Sequence, residues 1–139
     1  MMQVKEVMSR QVISIDASDS CLEAAGRMHR SRVRHLPVVD RGKRLLGIIT
    51  DGDLRHHLFS PAVFPALGMS SMDALKATSV AELMTTDVVT VGPDETLGEA
   101  ARLMLERKVG SLPVLEDGRV VGILTETDML RLIANQLYT

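Results

Sequence analysis

Two threonine–aspartate pairs carry the clearest chemical signal in this chain: Thr50-x-x-Asp53 and Thr125-x-x-Asp128. Each closes an apolar run, Leu45–Thr50 or Val120–Thr125, and opens a predicted helix. A helix start offers backbone N–H groups that have no partner within the helix. Threonine and aspartate placed there add a hydroxyl and a carboxylate to the same small volume. One reading is an N-cap and nothing more: the hydroxyl accepts a backbone N–H, and the helix dipole favours the carboxylate. The other adds a ligand. A carboxylate accepts from the two vicinal hydroxyls of a ribose, and a helix N-terminus holds a phosphate. The two readings are compatible, since threonine can cap while aspartate binds.

A second cluster lies upstream. Arg27, Arg30, Arg32, Arg34, Arg41, Lys43 and Arg44 stand against one acid, Asp40, within a chain of formal net charge −2. A solvated helix-and-turn face explains such a strip. The functional alternative is a phosphate-facing patch centred on Arg34 and His35, where a guanidinium fork suits phosphate oxygens. Other chemistry is poorly supported. Asp51-Gly52-Asp53 lacks the remaining ligands of a calcium loop. His56 and His57 are adjacent, so on a helix they point about 100° apart, and no metal site is expected. No G-x-S-x-G, phosphate-binding P-loop or G-x-G-x-x-G occurs. With no acid–base pair to run a reaction, an enzyme is not expected.

The elements that position these residues come twice. Val4, Glu6, Met8, Val12, Glu23, Ala24, Ala25, Met28, Val33, Leu36, Pro37, Val38 and Gly42 recur 76 positions later. After a one-residue slip near Arg44, Gly47, Ile48, Thr50 and Asp53 recur 75 positions later. Each copy reads as a leading turn, a strand (Val12–Ile15 in the first), a helix, two strands and a helix. S-x-x-E and T-x-x-E capping boxes at Ser20–Glu23 and Thr96–Glu99 start the first helix of each copy, with Leu22, Ala25 and Met28 as the apolar face in copy one. Pro37 argues for an edge or a strand end. Such a doubling predicts two half-domains about a pseudo-two-fold axis with paired clefts. Because Gly110 and Ser111 stand where copy one has Arg34 and His35, the clefts are expected to differ chemically.

The segment between the copies has no repeat partner. Phe59, Pro61, Phe64, Pro65 and Gly68 mark it as irregular, and it reads as a cover packed on the module, with a short helix capped near Ser70 and running through Lys76. The chain has no Trp, one Tyr and two Phe, so the core is aliphatic and Met-rich. Cys21, at the place of Leu97, reads as a small buried apolar residue. With one cysteine and no apolar run long enough for a bilayer or a signal peptide, a cytoplasmic location is expected.

VKEVMSRQVISI and VAELMTTDVVTV, RHLPVVD and GSLPVLE, and GIITDGDL and GILTETDM occur in order, twice. On these motifs the chain resembles the CBS-domain family in its tandem form, the Bateman module. It is similar in particular to stand-alone bacterial two-CBS proteins of the acetoin-utilisation type. The resemblance implies an α/β (α+β) fold of two β-α-β-β-α motifs packed sheet to sheet, with residues 1–58 and 80–139 as the motifs and 59–79 connecting them. It implies a regulatory sensor for AMP, ADP, ATP or S-adenosylmethionine, bound in the cleft between motifs, with no required cofactor. Asp53 and Asp128 would hold ribose, with Thr50 and Thr125 near phosphate. Ile13, Ser14, Val89 and Thr90 would meet adenine, and Arg34 and His35, just before the strand of Pro37 (Pro113 in copy two), would meet phosphate. A homodimer is implied, and membrane attachment is not. The alternatives are a dimerising scaffold with vestigial clefts, using Leu103, Leu130 and Ile133, and nucleic-acid binding through the arginine strip. Net charge and scarce aromatics weigh against the last.

Overall fold

The computed structural model describes residues 1–59 and 70–138. It separates into two compact units: a central unit, Ile13–Val88, and a split unit made of Met1–Val12 with Val89–Thr139. Pro61, Phe64, Pro65 and Gly68 lie outside the described residues, with the rest of 60–69 in the expected covering segment.

In the central unit, α1 (Cys21–Ser31) leads to the antiparallel hairpin β1 (His35–Val39) and β2 (Leu45–Thr50), then to α2 (Asp51–Leu58), α3 (Ser71–Lys76) and α4 (Val80–Leu83). The split unit opens with a 3-10 turn, Val4–Glu6. It continues through α5 (Leu97–Arg107), the antiparallel hairpin β3 (Ser111–Glu116) and β4 (Arg119–Thr125), and α6 (Glu126–Leu137). The hairpins explain the one-residue slip in the repeat. Copy one turns over Asp40–Lys43 with Lys43 at φ 65°, whereas copy two turns tightly at Asp117-Gly118, both with positive φ.

Each unit has its own aliphatic core. Ile15, Cys21, Ala24, Met28, Leu36, Val38 and Ile49 pack with Leu54, Leu75 and Val80 in the central unit. Val4, Met8, Val91, Leu97, Ala100, Met104, Leu112, Val114 and Leu124 do so in the split unit. Burying each large aliphatic side chain contributes about 1.5–3 kcal/mol. The buried stripe of α1 is Cys21, Ala24 and Met28, with Leu22 and Ala25 only partly covered.

The membership of the units is not the order of the repeat. Residues opening copy one pack with copy two: Val4 N–H donates to the Glu95 carbonyl (2.8 Å), and Leu97 N–H to that of Met2 (3.0 Å). The reciprocal bonds join the start of copy two to copy one, Val80 N–H to Asp19 (2.8 Å) and Cys21 N–H to Thr78 (2.8 Å). Two glycines admit these exchanged segments. A Cβ on Gly47 would lie 2.8 Å from both Met84 Sδ and the Thr85 carbonyl, and one on Gly122 would lie 2.5 Å from Met8 Sδ.

Two expectations need correction. Val12–Ile15 does not form a strand: it touches β1 through one parallel bridge, Ile15 to Val38, as Val91 does to Val114. Arg27 Nη1 takes the Ser14 carbonyl (2.7 Å), and past Ile15 the chain folds into a turn at Asp16, whose carboxylate accepts the Ser18 N–H (2.9 Å). Pro37 lies, as expected, in an edge strand, since its sheet has two strands, and it is fully buried. It sits opposite Ile48, whose N–H and carbonyl both turn away to Thr85, while its own carbonyl accepts from Ile15. Finally, the boxes at Ser20 and Thr96 are half-formed. Each hydroxyl accepts the expected N–H (3.1 and 3.2 Å). The glutamates turn instead to arginines, Glu23 to Arg27 and Arg30 and Glu99 to Arg102.

Candidate functional site

The threonine–aspartate pairs form the same corner in both units. Thr50 N–H donates to Asp53 Oδ2 (2.8 Å), and Asp53 N–H donates to Thr50 Oγ1 (3.1 Å). Thr125 and Asp128 repeat this at 2.9 and 3.2 Å. Each pair is a complete capping box, with the threonine extended at φ −120° and the helix beginning at the next residue. Capping consumes the threonine hydroxyl as an acceptor and one carboxylate oxygen. The second oxygen of Asp128 stands 3.7 Å from Arg131. At the matching place in α2 the chain carries His56, and among the described residues no cation pairs with Asp53.

Strand register brings the basic residues to the same corner. His35 pairs with Thr50 across β1 and β2, and the Arg34 carbonyl accepts Asp51 N–H (3.0 Å). In the split unit Ser111 pairs with Thr125, and the Gly110 carbonyl accepts Glu126 N–H (3.0 Å). Arg34, His35, Thr50 and Asp53 are therefore assembled by the backbone alone. Ile13 and Ser14 stand further off, because Ile15 bridges the opposite side of β1. Two strand spacings, about 10 Å, separate that edge from β2. Pro37 lies between them, its carbonyl 3.0 Å from Ile15 N. Val89, Thr90 and Pro113 hold the corresponding places, with Val91 N–H on the Pro113 carbonyl at 3.1 Å.

The corners differ in what surrounds them. Arg27 occupies the Ser14 carbonyl and also binds Glu23 (2.9 Å) and Asp19 (3.6 Å). Its counterpart Leu103 is partly buried and packs against the split-unit core. Leu130 and Ile133 do face solvent. Cys21 is wholly buried, and burial pushes its thiol up to about 11, with Glu82 adding to the rise. It packs as an apolar side chain and donates weakly to the Ser79 carbonyl (3.4 Å). Among the described residues no three His, Cys, Asp or Glu side chains converge as metal ligands, and no helix is long and apolar enough to cross a membrane.

The family model of the CBS domain matches residues 4–60 and 80–135, the two copies that build these corners. The chain belongs to the CBS-domain family. A CBS domain-containing protein of Dictyostelium discoideum is 35% identical over 96% of this chain and 92% of its own length. Among solved structures, an acetoin utilization protein (AcuB) from Vibrio cholerae is 33% identical with a TM-score of 0.82, covering 99% of this chain and 94% of that one. The CBS domain pair of protein MJ0100, in complex with 5′-methylthioadenosine and S-adenosyl-L-methionine, is 31% identical with a TM-score of 0.82, covering 98% of each chain. Other curated relatives are far longer: the chain spans 24% and 25% of two homoserine O-acetyltransferases. The mixed α/β architecture with one small hairpin sheet per CBS repeat agrees with these neighbours.

Proposed function

We propose that this CBS-domain protein is a non-catalytic, cytoplasmic regulatory sensor whose corners bind an adenosine-containing ligand: AMP, ADP, ATP or S-adenosylmethionine. The observation that carries the reading is the doubled capping corner. In each copy the threonine secures the helix start and leaves the second aspartate oxygen for a ribose diol. The helix start is tied by backbone bonds to Arg34 in one copy and to Gly110 in the other, which keeps Arg34 and His35, or Gly110 and Ser111, beside the same corner. The likeness to the MJ0100 pair, crystallised with two adenosyl compounds, supports the ligand class. Adenine would lie toward Ile13-Ser14 and Val89-Thr90, beside Pro37 and Pro113. Binding would act by favouring one of two conformations or assemblies, with differential affinity as the source of the signal.

Thermal shift and isothermal titration across AMP, ADP, ATP, S-adenosylmethionine and 5′-methylthioadenosine test this. At least one compound should raise the melting temperature, and Asp53→Ala or Asp128→Ala should weaken binding in a folded protein. No heat from any of them at millimolar concentration overturns the reading.

A second reading, a homodimeric scaffold, is favoured by one observation. Leu130, Ile133 and Leu137 form a stripe along α6 and are 65%, 51% and 81% exposed. Sedimentation of Leu130→Glu beside the parent chain tests it: a dimer that becomes a monomer supports the scaffold.

A further inference from the structure

The two hairpins end in tips of opposite charge. In the central unit Asp40 builds the turn. Its Oδ1 accepts the Gly42 and Arg44 N–H groups, both at 2.9 Å, and its own N–H donates to the Arg44 carbonyl (3.1 Å). The turn thereby occupies its one carboxylate. Arg41, Lys43 and Arg44 are all exposed, and among the described residues no carboxylate pairs with any of them. Asp16 lies within electrostatic reach of Arg41, but its carboxylate accepts the Ser18 N–H (2.9 Å) and hydroxyl (2.8 Å). Lys43 stands at φ 65°, which glycine holds at lower cost, so the turn itself does not call for a lysine. Beside these cations the hairpin bulges. Val38 pairs with Gly47 and Val39 with Leu45, which leaves Leu46 as the extra residue. Leu46 is 42% exposed and has no place in the central core. The split unit provides the internal control. Its tip carries Glu116, Asp117 and Arg119, and its bulged residue, Val121, packs on the core.

We propose that the β1–β2 tip is a docking surface for an acidic peptide segment of a partner protein, with Leu46 as the apolar anchor and Arg41, Lys43 and Arg44 pairing with carboxylates around it. Complementary charge steers such an encounter and fixes its register. The leucine, removed from water, supplies affinity that exposed ion pairs lack. Two other occupants fit less well. Nucleic acid would leave Leu46 unused, and residues 35–50 contain no Phe, Tyr or Trp on which a base could stack. A second copy of this chain would offer Glu116 and Asp117, but the Val121 near them is packed on its own core and gives Leu46 nothing to meet. The five residues of β1 place the tip about 15 Å from the Thr50–Asp53 corner, so a docked segment and a ligand need not compete. The surface stands independently of the function proposed above.

Fluorescence anisotropy tests this with a labelled peptide of Glu-Glu-Leu repeats. Polyglutamate, a Lys-Lys-Leu peptide and a single-stranded oligonucleotide of equal length stand beside it. The proteins are the parent chain, Lys43→Gly, Arg44→Gln, Leu46→Thr and, at the other tip, Arg119→Gln. Lys43→Gly removes a charge while relieving the left-handed backbone, so loss of folding does not imitate loss of binding, and thermal melts check this for every variant. The Glu-Glu-Leu peptide should bind, and more weakly as salt rises. Lys43→Gly and Arg44→Gln should each weaken it about fivefold, the upper worth of an exposed ion pair, and Arg119→Gln should leave it unchanged. Leu46→Thr should weaken the Glu-Glu-Leu peptide and leave polyglutamate unchanged. No binding of the Glu-Glu-Leu peptide, equal binding of the Lys-Lys-Leu peptide, affinity indifferent to the three β1–β2 variants, or tighter binding of the oligonucleotide overturns the proposal. So does a parent chain that sediments as a dimer dissolved by Lys43→Gly, which assigns the tip to a second copy.

Discussion

The central and split units share a backbone plan and differ in their side-chain charge. Both keep the buried proline inside the hairpin, the glycine beneath a methionine, and the threonine–aspartate box. Around that frame Arg27 becomes Leu103, Arg30 becomes Glu106, Arg34 becomes Gly110 and His35 becomes Ser111. The carboxylate of Asp128 has Arg131 3.7 Å away, and that of Asp53 has no such neighbour among the described residues. The retained residues are those on which the turn, the cap and the close approach depend geometrically. Of the varied ones, Arg30, Glu106 and Arg34 are exposed, where charge changes with little effect on the fold, whereas Leu103 packs on its core and Ser111 is buried. Two copies of one frame can thus present two different recognition surfaces.

The largest effect should come from closing the space beneath the exchanged segments. Gly47→Ala sets a methyl against the Thr85 carbonyl, which is fixed by paired hydrogen bonds to Ile48 at 2.9 Å. Gly122→Ala meets chiefly the flexible Met8 side chain, with the Ser9 carbonyl at 3.0 Å. Overpacking costs about 1–3 kcal/mol. Denaturant melts should place Gly47→Ala at the upper end and Gly122→Ala at the lower. The reverse order would mean that the central unit yields more readily. Next come the caps. Asp53→Ala and Asp128→Ala should each cost about 1 kcal/mol by the same melts. Asp128→Ala should cost a few tenths more, since its exposed partner Arg131 adds little.

The smallest effect separates the units by acidity. Asp16, Glu23 and Glu82 all lie in the central unit, and all are held below their ordinary carboxylate values. For Asp16 the chief cause is the Ser18 N–H, for Glu23 the Arg27 guanidinium, and for Glu82 the Ser79 N–H. A carboxylate lowered in the folded state stabilises it above the unfolded value and loses that contribution as pH falls through the folded one. In the split unit the contrast is Lys5. It is raised above 10.5 by its hydrogen bond to Asp94, so its contribution is lost on the alkaline side. Hydrogen exchange between pH 5 and pH 3 should therefore show protection falling earlier in residues 13–88. Equal loss in both units would remove this distinction.

The sequence announced much of the frame. The offset of 76 residues, the helix starts at Ser20 and Thr96, and the turn at Asp117-Gly118 follow from residue type and spacing. So does the corner itself, because Thr-x-x-Asp after an apolar strand admits few other structures. Other features depend on which neighbour wins a group, and spacing does not reveal that. Arg27 captures the Ser14 carbonyl, and the run Val12–Ile15 meets β1 only through Ile15. Glu23 prefers two guanidinium partners to its own cap. Leu103 turns inward where its counterpart is charged. The exchange of leading segments is hidden for a different reason: Val4 and Val80 stay 76 residues apart whichever copy each packs against.

That exchange also sets an order of events during synthesis. Residues 13–88 emerge as one contiguous stretch and hold every element of their unit before residues 89–139 exist. The stretch at Val4 must wait for Glu95, so its unit closes only after a long intervening loop is complete, and loop closure over such a separation is entropically slow. Residues 1–12, made ahead of the central unit, thus find their place after it.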